Sequence, residues 1–170
     1  MRRSAVLWCM AVAALWGIET GKVPPAVTLQ GDAGGRVDGK AWHSTMLKDK
    51  VYVLFYVDPD EKDLNQPFVD ALHSKKFDHA HFGSVAIVNM AATWKPDAII
   101  AMLLKKKQKK YPDTVYVKDK NKMLVKKWGL ADDNSDVLIF DKKGRLIYKH
   151  FGKMDRNEID KALALIEKAL

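Results

Sequence analysis

Three groups of side chains in this sequence could do chemistry, and each also has a plainer reading. The first is the acidic run Asp58, Asp60, Glu61 and Asp63. Clustered carboxylate oxygens could hold a hard divalent cation or a ligand or partner, although the spacing lacks the glycine and distal glutamate of an EF-hand loop. Carboxylates ahead of a helix also stabilise its N-terminus by a few tenths to about 1 kcal/mol each, so capping and solvation are the plain reading. The second group is His79 and His81, two residues apart, with His73 nearby. On an extended segment the pair would share a face and could bind zinc or copper. No Cys or Glu pair stands near enough to complete a tetrahedral set, so no metal is assigned. His43 beside Ser44 suggests a hydrolase pair, but the chain has no G-x-S-x-G elbow.

The third group is basic. Lys105, Lys106, Lys107, Lys109 and Lys110 form a run, continued by Lys118, Lys120, Lys122, Lys126 and Lys127 against only Asp113 and Asp119. Such a patch attracts polyanions. Arginine and interleaved aromatics are scarce in it, which argues against nucleic acid and leaves anionic lipid headgroups, an acidic protein partner or a simple solvated face. Trp94 closes the stretch Asn89-Met90-Ala91-Ala92-Thr93-Trp94 after an apolar run. It could floor a shallow groove for a peptide or small ligand, with core packing as the alternative. Gly34-Gly35 follows no strong strand and opens no helix, so no nucleotide cofactor is implied.

The chain that must position these groups has 170 residues, 48% apolar content, 29% charged residues and a formal charge of +8. Length and composition suit one folded domain. Its one cysteine, Cys9, excludes an intramolecular disulfide, a CxxC pair and a multi-cysteine zinc site. Arg2 and Arg3 precede an uncharged stretch from Ala5 to Ile18. As a helix that stretch would reach only about 21 Å of a roughly 30 Å bilayer core. It reads as a secretory signal peptide over residues 1–17, with a single domain over 18–170, an exported or periplasmic location and no integral membrane span.

Strands and helices then alternate. Ala26–Leu29 reads as an edge strand, and a Gly-rich turn follows through Gly31, Gly34 and Gly35. Val51–Val57 is apolar on both sides of the strand period, which predicts a strand covered on both faces. A helix over Asn65–Lys75 carries Pro67 in its first turn, with Asn65 or Gln66 as cap. Ser84–Met90 reads as a second buried strand, and Pro96–Lys110 as a helix with Ile99, Ile100, Leu103 and Leu104 on one side. Thr114–Val117 is a short strand, and Lys122–Trp128 a short helix ended by Gly129. Val137–Phe140 and Arg145–Tyr148 flank a turn at Gly144. The last helix opens with Asp155 and Glu158, a capping box, and carries Ile159, Ala162, Leu163, Ile166 and Leu170 on one stripe.

This order resembles a thioredoxin-like fold, an α/β/α three-layer sandwich around a central mixed sheet. Three stretches, 58–65, 88–94 and 136–141, are similar to the YtfJ family of exported thioredoxin-fold proteins without the CxxC motif. The resemblance implies that two cysteines of redox members would fall near Asp60 and Asp63, and that the usual cis-proline is replaced near Ser135. A carboxylate cannot attack a disulfide sulfur usefully, and a lone cysteine cannot resolve a mixed disulfide within its own chain. The expectation is therefore a non-redox binding protein whose edge is formed by Asp58, Asp60, Glu61, Asp63, Trp94 and Ser135. An oxidoreductase-derived enzyme using a metal or cofactor, and a membrane-surface module, are the alternatives.

Overall fold

The structure is a computed structural model that describes residues 17–170. The signal-peptide stretch and Cys9 lie outside those residues, apart from Gly17. The strands are β1 (Thr28–Leu29), β2 (Gly34–Arg36), β3 (Trp42–His43), β4 (Val51–Val57), β5 (Phe82–Asn89), β6 (Thr114–Asp119), β7 (Ser135–Phe140) and β8 (Leu146–Phe151). The helices are α1 (Gln66–Lys75), α2 (Asp97–Lys110), α3 (Met123–Trp128) and α4 (Arg156–Ala169).

Six strands form one mixed sheet in the order β2-β6-β5-β4-β7-β8, and β1 pairs with β3 as a small separate ribbon. β4, β5 and β6 are parallel neighbours, while β2, β7 and β8 join antiparallel. Parallel neighbours need crossover helices, and α1 and α2 supply them. The double-sided apolar pattern of β4 is realised in two cores. Leu54 and Tyr56 pack with Val85, Ile87, Val117, Leu138, Phe140, Trp128 and Trp42 on one face. Val51 and Val53 pack with Phe68, Leu72, Val137, Ile139, Ala162 and Ile166 on the other, beneath α1 and α4. Ile18 belongs to the first core, and its amide and carbonyl bond to the Trp128 carbonyl and the Lys149 ammonium. Half of the expected capping box forms at α4: Asp155 accepts from the Glu158 N–H at 2.8 Å, but the Glu158 carboxylate bonds to the Tyr148 hydroxyl and lies 3.0 Å from His150 Nδ1 rather than turning back to the Asp155 N–H.

Two expectations change. The Gly-rich segment read as a turn contains β2, which closes one edge of the sheet against β6. Gly34 makes this possible: at φ +123° a Cβ there would stand 1.9 Å from the Lys118 carbonyl oxygen. In α2 only Ile100 and Leu104 of the four predicted residues are buried, against Val88, Met90 and Tyr116. Ile99 and Leu103 face solvent. The helix covers the β5–β6 side of the sheet through Ile100 and Leu104, and Gln108 bonds to Thr114 and Tyr116 of β6.

Candidate functional site at the end of the parallel strands

In open α/β sheets the crevice beyond the C-terminal ends of the parallel strands is where ligands bind. Here three polar residues sit at those ends: Asp58 just after β4, Asn89 closing β5 and Asp119 closing β6, all buried. Asp119 is satisfied internally. Its carboxylate accepts from the Tyr56 hydroxyl at 3.1 Å and from the Met123 and Leu124 amides at 2.9 and 3.0 Å, fastening α3 to the sheet. Burial, then the adjacent Asp119 carboxylate, push the Tyr56 phenol far above its ordinary range. Asn89 donates to Asp132 at 2.8 Å, and its own carbonyl oxygen is buried without a partner. Lys122 also reaches Asp132, at 2.6 Å. Burial opposes ionisation of Asp132, but the bonds from Lys122 and Asn89 prevail and hold its pKa low.

β7 adds a buried acid. Asp136 stands opposite Tyr56 in the ladder and is fully buried. One of its oxygens accepts from the Ala131 N–H at 2.8 Å, and the other has no partner. Burial raises its pKa to about 7, against the opposing pull of that amide.

The residues expected from sequence fall into distinct places. Asp58 is buried and accepts from the Asp60 N–H at 2.8 Å, while its own N–H donates to the Asn134 carbonyl at 2.8 Å. Burial, followed by neighbouring carboxylates, lifts its pKa. Asp60 is fastened from the other side of the crevice: Thr93 Oγ1 donates to it at 2.8 Å, and Lys95 Nζ forms a salt bridge. Lys95 and then Thr93 hold its carboxyl below the usual range. Asp63 pairs with Lys62 and is lowered chiefly by it. Glu61 is exposed. The helix-capping reading of this run does not hold, because α1 begins only at Gln66 and carries no acid in its first turn.

Ser135 is buried, and the residue that buries it is Asn65. The Asn65 amide donates to the Ser135 Oγ and carbonyl, both at 3.2 Å, and to the Gly152 carbonyl at 2.9 Å. Its oxygen accepts from the Met154 N–H at 2.9 Å. Asn65 occupies the cap position of α1 but turns its side chain inward, away from the helix amides. Sequence reasoning saw only its helix-starting role. Trp94 is 86% exposed, so it neither packs in the core nor floors a groove; it stands on the rim beside the Asp60–Lys95 bridge. The lysine run lies along the C-terminal half of α2, and Lys107 comes near enough to Asp63 to lower its pKa slightly.

The other candidates separate. Ser44 Oγ accepts from the Val27 N–H at 2.9 Å, and His43 pairs with the Thr28 hydroxyl at 2.9 Å, so the two serve the β1–β3 ribbon. His79 lies 3.7 Å from Asp113, and the His73 ring packs 5.6 Å from the Tyr111 ring. Among the described residues, no three Cys, His, Asp or Glu side chains are grouped to hold a metal ion. No helix among them is long and apolar enough to cross a membrane.

A central mixed sheet between helices, with polar residues gathered at the end of the strand that precedes α1, defines a thioredoxin-like fold. Solved structures agree. A putative protein disulfide isomerase from Bacteroides thetaiotaomicron matches 90% of this chain and 91% of its own, with TM-score 0.63 and 17% identity. The exposed lipoprotein thioredoxin Etrx1 of Streptococcus pneumoniae matches 85% and 99%, with TM-score 0.60 and 18% identity. Residues 27–169 match the family model described as bacterial protein of unknown function (YtfJ_HI0045), and the chain belongs to that family. The uncharacterized protein YtfJ of Escherichia coli K12 is 27% identical, over 100% of this chain and 98% of its own length.

Proposed function

We propose that this chain is an exported thioredoxin-fold protein that works by binding, receiving a protein segment or small ligand at the crevice edge where redox members of the fold carry a dithiol. One observation carries the reading. The position counted as the first cysteine is Asp60, held between Thr93 and Lys95, in a chain whose one cysteine is Cys9. A carboxylate fixed in this way is a recognition group and has no route to sulfur exchange. Export is supported by the basic start and short apolar stretch at the N-terminus.

The test places a photoreactive amino acid at exposed Glu61 in the full chain and irradiates it in a cell-envelope extract, with the same probe at Lys161 on α4 as the control. Discrete adducts from position 61, absent from position 161 and lost on Asp60→Ala with Lys95→Ala, are the expected result. Equal adducts from both positions, none from either, or catalytic insulin reduction by the Cys9→Ser protein would overturn it.

A further inference from the structure

The face of α2 turned away from the sheet is apolar in its first half and basic in its second. Ile99, Met102 and Leu103 are spaced i, i+3 and i+4, with Met102 opposite the buried pair Ile100 and Leu104 and the other two on the flank between them, and are 46%, 49% and 47% exposed. Helical geometry carries the same stripe on to Lys106 and Lys110 at i+7 and i+11. Lys105, Lys107 and Lys109 flank it, and none of these five lysines forms an ion pair among the described residues. Trp94, 86% exposed, lies three residues before the helix begins at Asp97. The one acid of α2, Asp97, is already neutralised by Lys120 at 3.2 Å. The outer face therefore presents large apolar groups, an amphipathic indole and unpaired cations, with no free negative charge of its own.

We infer that this face of α2, together with Trp94, docks onto an anionic phospholipid surface. An interfacial helix needs these parts: an apolar stripe to enter the acyl boundary, a tryptophan to sit at headgroup level and lysines that reach outward to phosphates. The charge complementarity selects anionic lipid over neutral lipid. The packing of α2 leaves the stripe about half exposed, because the helix is fixed to the sheet through Ile100 and Leu104. The helix is held by the domain and need not fold on contact, which removes an ordering cost from binding. Trp94 also stands on the rim of the acidic crevice, so the two readings are told apart by Met102, Leu103, Lys106 and Lys110, which make no hydrogen bond or ion pair with the crevice residues.

The experiment uses the full chain and vesicles of equal parts phosphatidylglycerol and phosphatidylcholine, with pure phosphatidylcholine vesicles as the neutral control. Trp94 emission, isolated as the difference between wild type and Trp94→Phe, should shift to the blue and lose acrylamide quenching on the anionic vesicles alone. Lys106→Gln with Lys110→Gln should weaken sedimentation with them about 25-fold, or roughly fivefold per lysine. Met102→Asp with Leu103→Asp should weaken it at least about tenfold. Binding should fall as salt rises, since exposed charges are screened within about 8 Å at physiological strength. These side chains are exposed, so both double variants should retain the wild-type circular dichroism and melting temperature. The inference is overturned if Trp94 emission does not respond to anionic vesicles at low salt. It is equally overturned if the double variants sediment as well as wild type, because binding would then come from elsewhere in the chain.

Discussion

Replacing Asp136 by asparagine is the most direct probe of how the crevice floor is built. The carboxyl is fully buried at the start of β7, with one oxygen on the Ala131 N–H and the other unpartnered. Burial moves its pKa from an ordinary 3.8 to about 7. Between those two values the folded chain keeps a proton that the unfolded chain releases. Stability from this group is therefore present below the unfolded pKa, falls as pH rises through the window and levels off above about 7. At 1.36 kcal/mol per unit, the window amounts to about 4 kcal/mol lost by pH 8. Asparagine has nearly the same shape, keeps an acceptor for Ala131 and never ionises. Urea denaturation of wild type and Asp136→Asn at several pH values between about 4 and 8 reads the effect as a difference of free energies. That difference should be near zero at the acid end and grow to several kcal/mol in favour of the variant at the alkaline end. Asp60 and Asp63, whose pKa values Lys95 and Lys62 hold low, titrate in both proteins and cancel. A difference that stays flat, or shrinks as pH rises, would refute the claim that burial governs this acid.

Two further substitutions test other parts of the scaffold. Asn65→Ala removes the side chain that serves Ser135, Gly152 and Met154 at once. It should cost about 3 kcal/mol by leaving buried backbone groups unsatisfied, and a loss under about 1 kcal/mol in urea melts would show that water replaces those bonds. Gly34→Ala should detach β2 from β6, because its Cβ would meet the Lys118 backbone. Hydrogen exchange at Val37 and Lys120, whose N–H groups bond to the Tyr116 and Ala33 carbonyls beside the paired residues, should accelerate while that of β4 stays slow. Gly39→Ala, which has a positive φ of +86° but nothing within 4 Å, should leave the pairing intact and so separate the clash from backbone strain.

The sheet and helices were legible in the sequence because their signals are local. The period-two and continuous apolar runs of β4 and β5, Pro67 at the start of α1 and Asp155 at the head of α4 each act over a few residues. What the sequence concealed depends on contacts between distant segments. β2 is a pair of glycines that becomes a strand only because Lys118 and Asp119 lie alongside. The α2 pattern named four apolar residues, and only the breadth of the covered sheet decides that Ile100 and Leu104 are the buried two. Asn65 advertises a helix cap, yet its side chain bonds to residues 70, 87 and 89 positions away. For the buried polar floor a signal did exist: Asn89 directly follows an apolar strand run and Asp119 follows another after one lysine, at the strand ends where open α/β sheets bind ligands.

That floor bears on why the crevice persists without thiols. An apolar closure of the sheet would be the more stable design, since buried polar atoms without partners cost about 1–3 kcal/mol each. Both faces of the sheet are closed in that way, by Leu54, Tyr56, Ile87 and Trp128 on one side and by Phe68, Leu72 and the stripe of α4 on the other. The crevice end instead buries Asp58, Asn89, Asp119 and Asp136, and leaves one oxygen each of Asn89 and Asp136 unmet. Above them the Asp60–Lys95 bridge ties the loop after β4 to the segment after β5, so the crevice edge is set by side chains from both. A fold whose only task was to stay folded gains nothing from this arrangement, whereas a recognition edge gains fixed charges and hydrogen-bonding groups held in place before a ligand arrives. The stability that Asp136→Asn recovers at alkaline pH then measures what this end of the sheet gives up for its polar character.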